Sequence, residues 1–219
     1  MLSIYLKSHG SGNIKKETIG AWIYTLLGSK YHDEGLLDYF NGSKVKAHCF
    51  SYNKEHVVKD EVLLIEIRGI EAVENRIVKI LASGEEVRLG KVSLNILEIT
   101  ESESNCNKDI YLIKSPIIMR SNSIVYRHEP SKSVDIEELL LNSIKRKYES
   151  IYGNELNGFF SIRFVNKKNC YFNIKIRGED ISQKGYLGSI EIVGSEEAKR
   201  FILSVGLGNR TGYGFGFLE

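Results

Sequence analysis

The order in which hydrophobic periodicity changes along this chain is its strongest constraint on fold. Leu2, Ile4 and Leu6 alternate with Ser3, Tyr5 and Lys7, the period-two mark of a half-buried strand. Ile19, Trp22, Ile23, Leu26 and Leu27 then share one face of a helical period, and Gly28 is placed to end that helix. Strands are predicted over Lys46–Tyr52 and Val62–Ile67. A helix carrying Ile70, Val73, Ile77, Ile80 and Leu81 on one side follows, then a long strand over Val87–Leu97 kinked at Gly90. The same grammar returns in the second half. Ile110–Met119 and Ile124–Tyr126 read as strands, and a helix starts near Asp135 with acidic residues first and Lys145, Arg146 and Lys147 at its end, as the helix dipole favours. Phe160–Phe164, Phe172–Ile176 and Leu187–Val193 read as further strands. Ser195 caps a helix through Ala198, Phe201, Ile202 and Val205, and Tyr213–Leu218 reads as a last strand. Two successive β-α-β-β-α-β runs predict an α+β protein of two tandem ferredoxin-like domains, 1–108 and 109–219. Sheets of this kind serve as platforms in RNA-recognition modules.

Composition excludes several classes. The apolar runs are far too short to span a bilayer, and the first residues do not form a signal-peptide core, so the chain reads as cytoplasmic, without a membrane partner. Cys49, Cys106 and Cys170 lie far apart, which argues against a disulfide framework or a zinc site. The histidines are unpaired and the acids dispersed, so neither a metal nor a cofactor is expected. Net charge is only +2, but residues 143–184 hold nine basic side chains and four acidic ones. On charge alone that stretch reads as a solvated, salt-bridged face; with a nucleic-acid partner it becomes a phosphate-binding surface.

The C-terminus is the most specific segment. Gly206, Gly208, Gly212, Gly214 and Gly216 place five glycines in eleven residues. Only Phe217, Leu218 and Glu219 follow, so no helix can complete a dinucleotide fingerprint or a P-loop. As a strand, the segment puts Tyr213, Phe215 and Phe217 on one face and Gly212, Gly214 and Gly216 on the other. A glycine face admits another backbone, of protein or of RNA. A tight turn alone would explain one or two of the glycines. Arg210, at the tip, is placed for a phosphate.

Gly206-Leu207-Gly208, five residues, then Gly214-Phe215-Gly216 resembles the terminal motif of the CRISPR-associated repeat-processing endoribonucleases, the sixth Cas family in the RAMP superfamily. Chain size and doubled ferredoxin-like order are similar to that family too. The resemblance implies an endoribonuclease that binds CRISPR repeat RNA and cuts precursor CRISPR RNA within its repeats, leaving 5′-OH and 2′,3′-cyclic phosphate ends without a metal. It also implies possible partners among other Cas proteins of an effector complex, or a second copy of the chain. The alternatives are a non-catalytic RNA-binding subunit of such a complex and a generic RNA-binding module.

In that family a histidine shortly after the first helix often carries the chemistry. His32, in Tyr31-His32-Asp33-Glu34-Gly35, resembles it. Lys46 resembles the family's lysine at the start of the next strand, and Tyr24 resembles a tyrosine that some members use in the first helix. Tyr24 also lies off its helix's apolar stripe. Histidine has a pKa suited to acid or base work, and a lysine stabilises charge growing on a phosphorane. His48, two residues from Lys46, is the alternative histidine. For RNA contact, the strand Tyr171–Arg177 offers Lys175 and Arg177, the preceding strand Arg163, and the turn between them Lys167 and Lys168. An ordinary wet face of an antiparallel sheet explains the same residues. The glycine segment with Arg210 completes the expected RNA surface.

Overall fold

The computed structural model describes residues 1–28, 46–84, 86–119, 135–176 and 179–219. The first sheet contains β1 (Leu2–Ser8), β3 (His48–Tyr52), β5 (Val62–Gly69), β6 (Val87–Leu89) and β7 (Val92–Glu101), in the antiparallel order β3-β5-β1-β7-β6. Helices α1 (Lys16–Gly28) and α2 (Glu71–Leu81) cover one face. Leu2, Ile4 and Leu6 point into their core, as the alternation in β1 requires. A short pair, β2 (Gly12–Asn13) and β4 (His56–Val57), flanks the sheet.

The second sheet contains β8 (Ile110–Ile117), β9 (Phe160–Ile176) and β10 (Glu179–Gly194), in the order β8-β10-β9, with α3 (Ile136–Tyr152) and α4 (Glu196–Val205) packed on it. The chain's end lies along the free edge of β8: Leu112 and Glu219 exchange backbone hydrogen bonds at 2.7 and 2.8 Å, and Lys114 N donates to Phe217 O at 2.9 Å. With that segment as the fourth element, each half has the ferredoxin-like arrangement, and the protein is α+β. Ser195 caps α4 through Ala198 N, as its sequence predicts, and Asp135, at the acidic start of α3, caps that helix by accepting from Glu137 N and Glu138 N.

Four expectations change. Gly90 is a hairpin turn rather than a kink, because Leu89 pairs with Val92. α3 runs past Lys147 to Gly153, which caps it, so its three basic residues precede its last turn. The strands expected at 160–164 and 172–176 are one strand. Its polar middle, including Lys167 and Lys168, stays extended because β10 pairs with it along its whole length, with a bulge at Val165. The terminal strand is replaced by a 3-10 turn over Thr211–Tyr213 and two isolated bridges, Ile113 to Leu218 and Ile118 to Asn209. The strand expected at Ile124–Tyr126 lies outside the described residues. Among the described residues, no helix is long and apolar enough to cross a membrane.

The halves meet along β3, β5 and β8. Lys114 Nζ pairs with Glu66 at 2.6 Å and Glu219 at 3.5 Å. Arg68 donates to Leu218 O and lies 4.6 Å from the centroid of Phe217. Cys49 Sγ faces the carbonyls of Leu203 and Ser204 at 3.6 Å, where α4 ends against β3.

Candidate active site and nucleic-acid interface

α4 delivers the chain into the glycine segment at this junction. Gly206, Gly208, Gly214 and Gly216 all have positive φ. A methyl group on Gly216 would overlap the Leu207 carbonyl oxygen, and one on Gly208 would overlap that of Ile118. These glycines let the segment fold back on itself and on β8. Leu207 N donates to Gly216 O at 3.0 Å, and Gly216 N to Pro116 O at 3.0 Å. The backbone approached so closely is the protein's own. Arg210 adopts the left-handed conformation at the entry to the 3-10 turn.

Gly212 has a different environment. Its φ is ordinary, yet a methyl group there would lie 3.1 Å from Lys46 Cγ, 3.2 Å from Tyr24 Oη and 3.3 Å from His48 Nε2. The turn therefore sits directly on three side chains from two distant elements. α1 supplies Tyr24, the start of β3 supplies His48, and the residues leading into it supply Lys46. The Tyr24 and His48 rings meet edge-on with centroids 5.8 Å apart, and Lys46 Nζ is 4.8 Å from the Tyr24 ring centroid. Tyr213 completes the group, its centroid 6.3 Å from that of Tyr24.

Burial sets the charge state of these groups. His48 is wholly enclosed. Desolvation, with Lys46 and then Lys147 adding like charge to any protonated form, lowers its pKa to about 4. Its ring is neutral at physiological pH. Burial raises the Tyr24 pKa, with Tyr213 contributing, so the phenol stays protonated. Its Oη is shielded from solvent and has no hydrogen-bond partner among the described residues. Burial also lowers the pKa of half-buried Lys46. The cluster thus offers a phenolic donor and a partly desolvated amine beside an exposed aromatic ring.

Of the catalytic candidates, Tyr24 and Lys46 are brought together. His32 lies outside the described residues; the segment carrying it joins the end of α1 to Lys46. Sequence reasoning missed Tyr213's place in this cluster, because a strand would have buried it. Among the described residues, no three His, Cys, Asp or Glu side chains converge to hold a metal ion.

The basic residues of the second half are dispersed along the β9–β10 ribbon. Arg163 is paired with Glu191, at 2.9 Å from one amino group and 3.2 Å from Nε. Lys167 and Lys168 are exposed and, on a continuous strand, point to opposite faces. Register places Lys167, Tyr171 and Lys184 on one face of the ribbon. The other face packs back on the glycine segment, where Phe172 stacks on Phe215 at 5.1 Å. The side chain of Lys175, and Arg177 altogether, lie outside the described residues.

Known proteins are similar to this chain in sequence and in fold. A Methanocaldococcus jannaschii protein named CRISPR-associated endoribonuclease Cas6 2 is 28% identical over 228 aligned positions, covering 94% of this chain and 92% of the relative. Two solved structures have the same fold over 100% of this chain. One, described as CRISPR associated protein Cas6, has a TM-score of 0.74 at 20% identity, with 97% of it covered. The other, described as a RAMP protein binding different RNA substrates, has a TM-score of 0.73 at 18% identity, with 98% of it covered. The family model for the C-terminal part of CRISPR associated protein Cas6 matches residues 99–219, more than half of the sequence, and the chain therefore belongs to the Cas6 family.

Proposed function

We propose that this protein is an endoribonuclease that binds CRISPR repeat RNA and cuts precursor CRISPR RNA once within each repeat, using the RNA's own 2′-hydroxyl as nucleophile. The observation that carries the reading is the convergence of Tyr24 and Lys46 on Gly212, at the family's terminal motif. The jannaschii relative's name supports endoribonuclease chemistry.

In this reading residues 1–108 supply the reacting groups and residues 109–219 supply the glycine segment and the ribbon. His32 exchanges one proton, as base toward the 2′-OH or as acid toward the departing 5′-oxygen, and solvent water exchanges the other. Chain connectivity supports this role: the segment bearing His32 starts from Tyr24's helix and ends at Lys46. Lys46 faces the negative charge that grows on the phosphorane, and the Tyr24 hydroxyl, covered in the free protein, donates a hydrogen bond to it once bound RNA shifts that cover. The 2′-oxygen–phosphorus bond forms as the phosphorus–5′-oxygen bond breaks. The products are a 2′,3′-cyclic phosphate and a 5′-hydroxyl, and the lysine's charge takes the place of a metal. His48, enclosed and neutral, backs the Tyr24 ring without touching RNA. Lys167, Lys168, Lys175, Arg177 and Arg210 bind backbone phosphates.

The test is single-turnover cleavage of the repeat from the protein's own genome, with chelator present. Cleavage is expected with unchanged rate, lost in His32→Ala and lost when the 2′-OH upstream of the scissile phosphate is replaced by hydrogen, with binding kept in both cases. Cleavage of the deoxy substrate, or a strict need for divalent metal, would overturn the mechanism. Tight binding of intact repeat without cleavage would instead identify a non-catalytic subunit.

A further inference from the structure

We infer that Tyr213 is the stacking platform for the nucleobase next to the scissile phosphate, an inference that rests on the RNA-cleaving reading above. Tyr213, Phe215 and Phe217 alternate in sequence, and an alternating aromatic run at a chain end should bury all three on one face. Phe215 and Phe217 are buried, at 5% and 1% exposure, whereas Tyr213 is 43% exposed.

The difference has a built cause. Arg210 in the left-handed conformation opens a 3-10 turn, and Gly214, also left-handed, closes it. Tyr213 N donates to Arg210 O at 2.9 Å, and Gly214 N to Thr211 O at 3.0 Å. Thr211 and Gly212 are buried. Its two buried residues anchor the turn, and it holds a large aromatic side chain toward solvent. Leaving such a ring exposed forgoes hydrophobic stabilisation that the neighbouring phenylalanines obtain.

The ring's surroundings identify what it meets. Tyr213 adjoins Tyr24, and Tyr24 adjoins Lys46 Nζ on its own ring. An exposed aromatic surface and a cation thus share one neighbour. A nucleotide presents a planar base and a phosphate joined by a sugar, and it matches that pair. With its base stacked on Tyr213, its phosphate reaches Lys46. Stacking tolerates any base, so Tyr213 fixes the position of the cut rather than the identity of the base.

The experiment compares wild type with Tyr213→Phe, Tyr213→Leu and Tyr213→Ala in two assays. In the first, 2-aminopurine replaces the base on either side of the scissile phosphate in an uncleavable 2′-deoxy repeat, and its fluorescence is read on binding. Quenching at one of the two positions is expected with wild type and Tyr213→Phe, and its loss with Tyr213→Leu and Tyr213→Ala. Quenching that is absent, or unchanged in Tyr213→Ala, overturns the proposal whether or not the protein cleaves RNA. In the second, single-turnover cleavage of the natural repeat is expected to fall roughly 10- to 100-fold in Tyr213→Ala and to stay near wild type in Tyr213→Phe. Removing the base at the quenched position should slow wild type to the Tyr213→Ala rate and leave Tyr213→Ala unchanged. If Tyr213→Ala were slower than wild type by the same factor on the abasic as on the natural substrate, the effect would not depend on the base, which would show a loosened loop and overturn the proposal. Failure of wild type to cut its repeat bears on the proposed function alone, since the fluorescence assay needs no cleavage.

Discussion

Lys147 Nζ, from the middle of α3, donates a 3.0 Å hydrogen bond to the carbonyl of Gly206, the first glycine of the terminal motif. It also approaches the Val205 carbonyl at 3.4 Å. Both carbonyls belong to the end of α4, where the helix dipole favours a cation. Burial lowers the lysine's pKa to about 8. Lys147→Met keeps most of the volume but leaves the two carbonyls without this donor, at a cost of about 1–3 kcal/mol each when fully unsatisfied. Removal of a buried charge offsets part of that cost. The expected net loss is about 1 kcal/mol by urea denaturation, together with slower cleavage because the glycine segment loses its anchor. Unchanged stability and rate would show that the bond positions nothing.

His48 predicts an acid-sensitive fold. Its pKa is about 4 in the folded protein, against 6.5 as its ordinary value. Between those values the unfolded chain binds a proton that the native protein refuses. Stability contributed by the neutral ring is therefore present above pH 6.5 and falls as pH drops toward 4. The full shift corresponds to about 3 kcal/mol. Denaturant titrations at pH 7 and pH 4.5 should show a steeper loss for wild type than for His48→Gln, which cannot titrate there. Parallel slopes would mean that the native ring takes up the proton.

The glycines divide into two kinds. Gly208→Ala and Gly216→Ala force a methyl group onto backbone oxygens at positive φ, and each should cost more than about 2 kcal/mol. Gly212→Ala meets only side chains and has no backbone strain, so its folding should change by less than about 1 kcal/mol. The added methyl group pushes on Lys46, Tyr24 and His48 together, so cleavage should fall at least about tenfold. A Gly212→Ala enzyme of normal rate would separate the turn from the chemistry.

How much of this could be read in advance depended on the range of the interaction responsible. β1, α2, the start of α3 and the cap of α4 follow from local periodicity and local hydrogen bonds, and the sequence displays both. The run Val165-Asn166-Lys167-Lys168-Asn169-Cys170 looks like a turn, because nothing local marks it as a strand; its partner Gly185–Ser189 is paired across separations of 15 to 23 residues. Alternation places Tyr213 in a strand, because it is visible in the sequence while the backbone angles of Arg210 and Gly214 are not. Tyr24 and Lys46 were drawn from family resemblance. Their meeting under Gly212 joins three distant parts of the chain, which periodicity cannot report.

The ribbon allows a comparison of cations. Arg163 shares its charge with Glu191, whereas Lys167 and Lys184 have no carboxylate partner among the described residues. Lys167→Ala or Lys184→Ala should weaken RNA binding and reduce the salt slope by roughly one released counterion. Arg163→Ala should change that slope by less, because its pair with Glu191 must break before it can contact a phosphate. Filter binding across a salt series distinguishes them. A larger effect for Arg163 would show that the opposite face of the sheet carries the RNA.

Tyr24→Phe should make the protein more stable and less active. The hydroxyl is shielded from water and has no hydrogen-bond partner among the described residues. A buried polar group left without a partner costs about 1–3 kcal/mol, and its removal leaves the ring's packing intact. The free protein thus carries a penalty that a phosphate oxygen would relieve once bound RNA shifts the groups covering the hydroxyl, by accepting its hydrogen bond as charge develops. Thermal denaturation should show Tyr24→Phe at or above wild type, by up to about 1 kcal/mol. Single-turnover cleavage should fall by roughly 10- to 100-fold, the range for losing one donor to a developing oxyanion, with repeat affinity nearly unchanged. Lower stability with normal cleavage would mean that the hydroxyl serves the fold and that Lys46 acts without it.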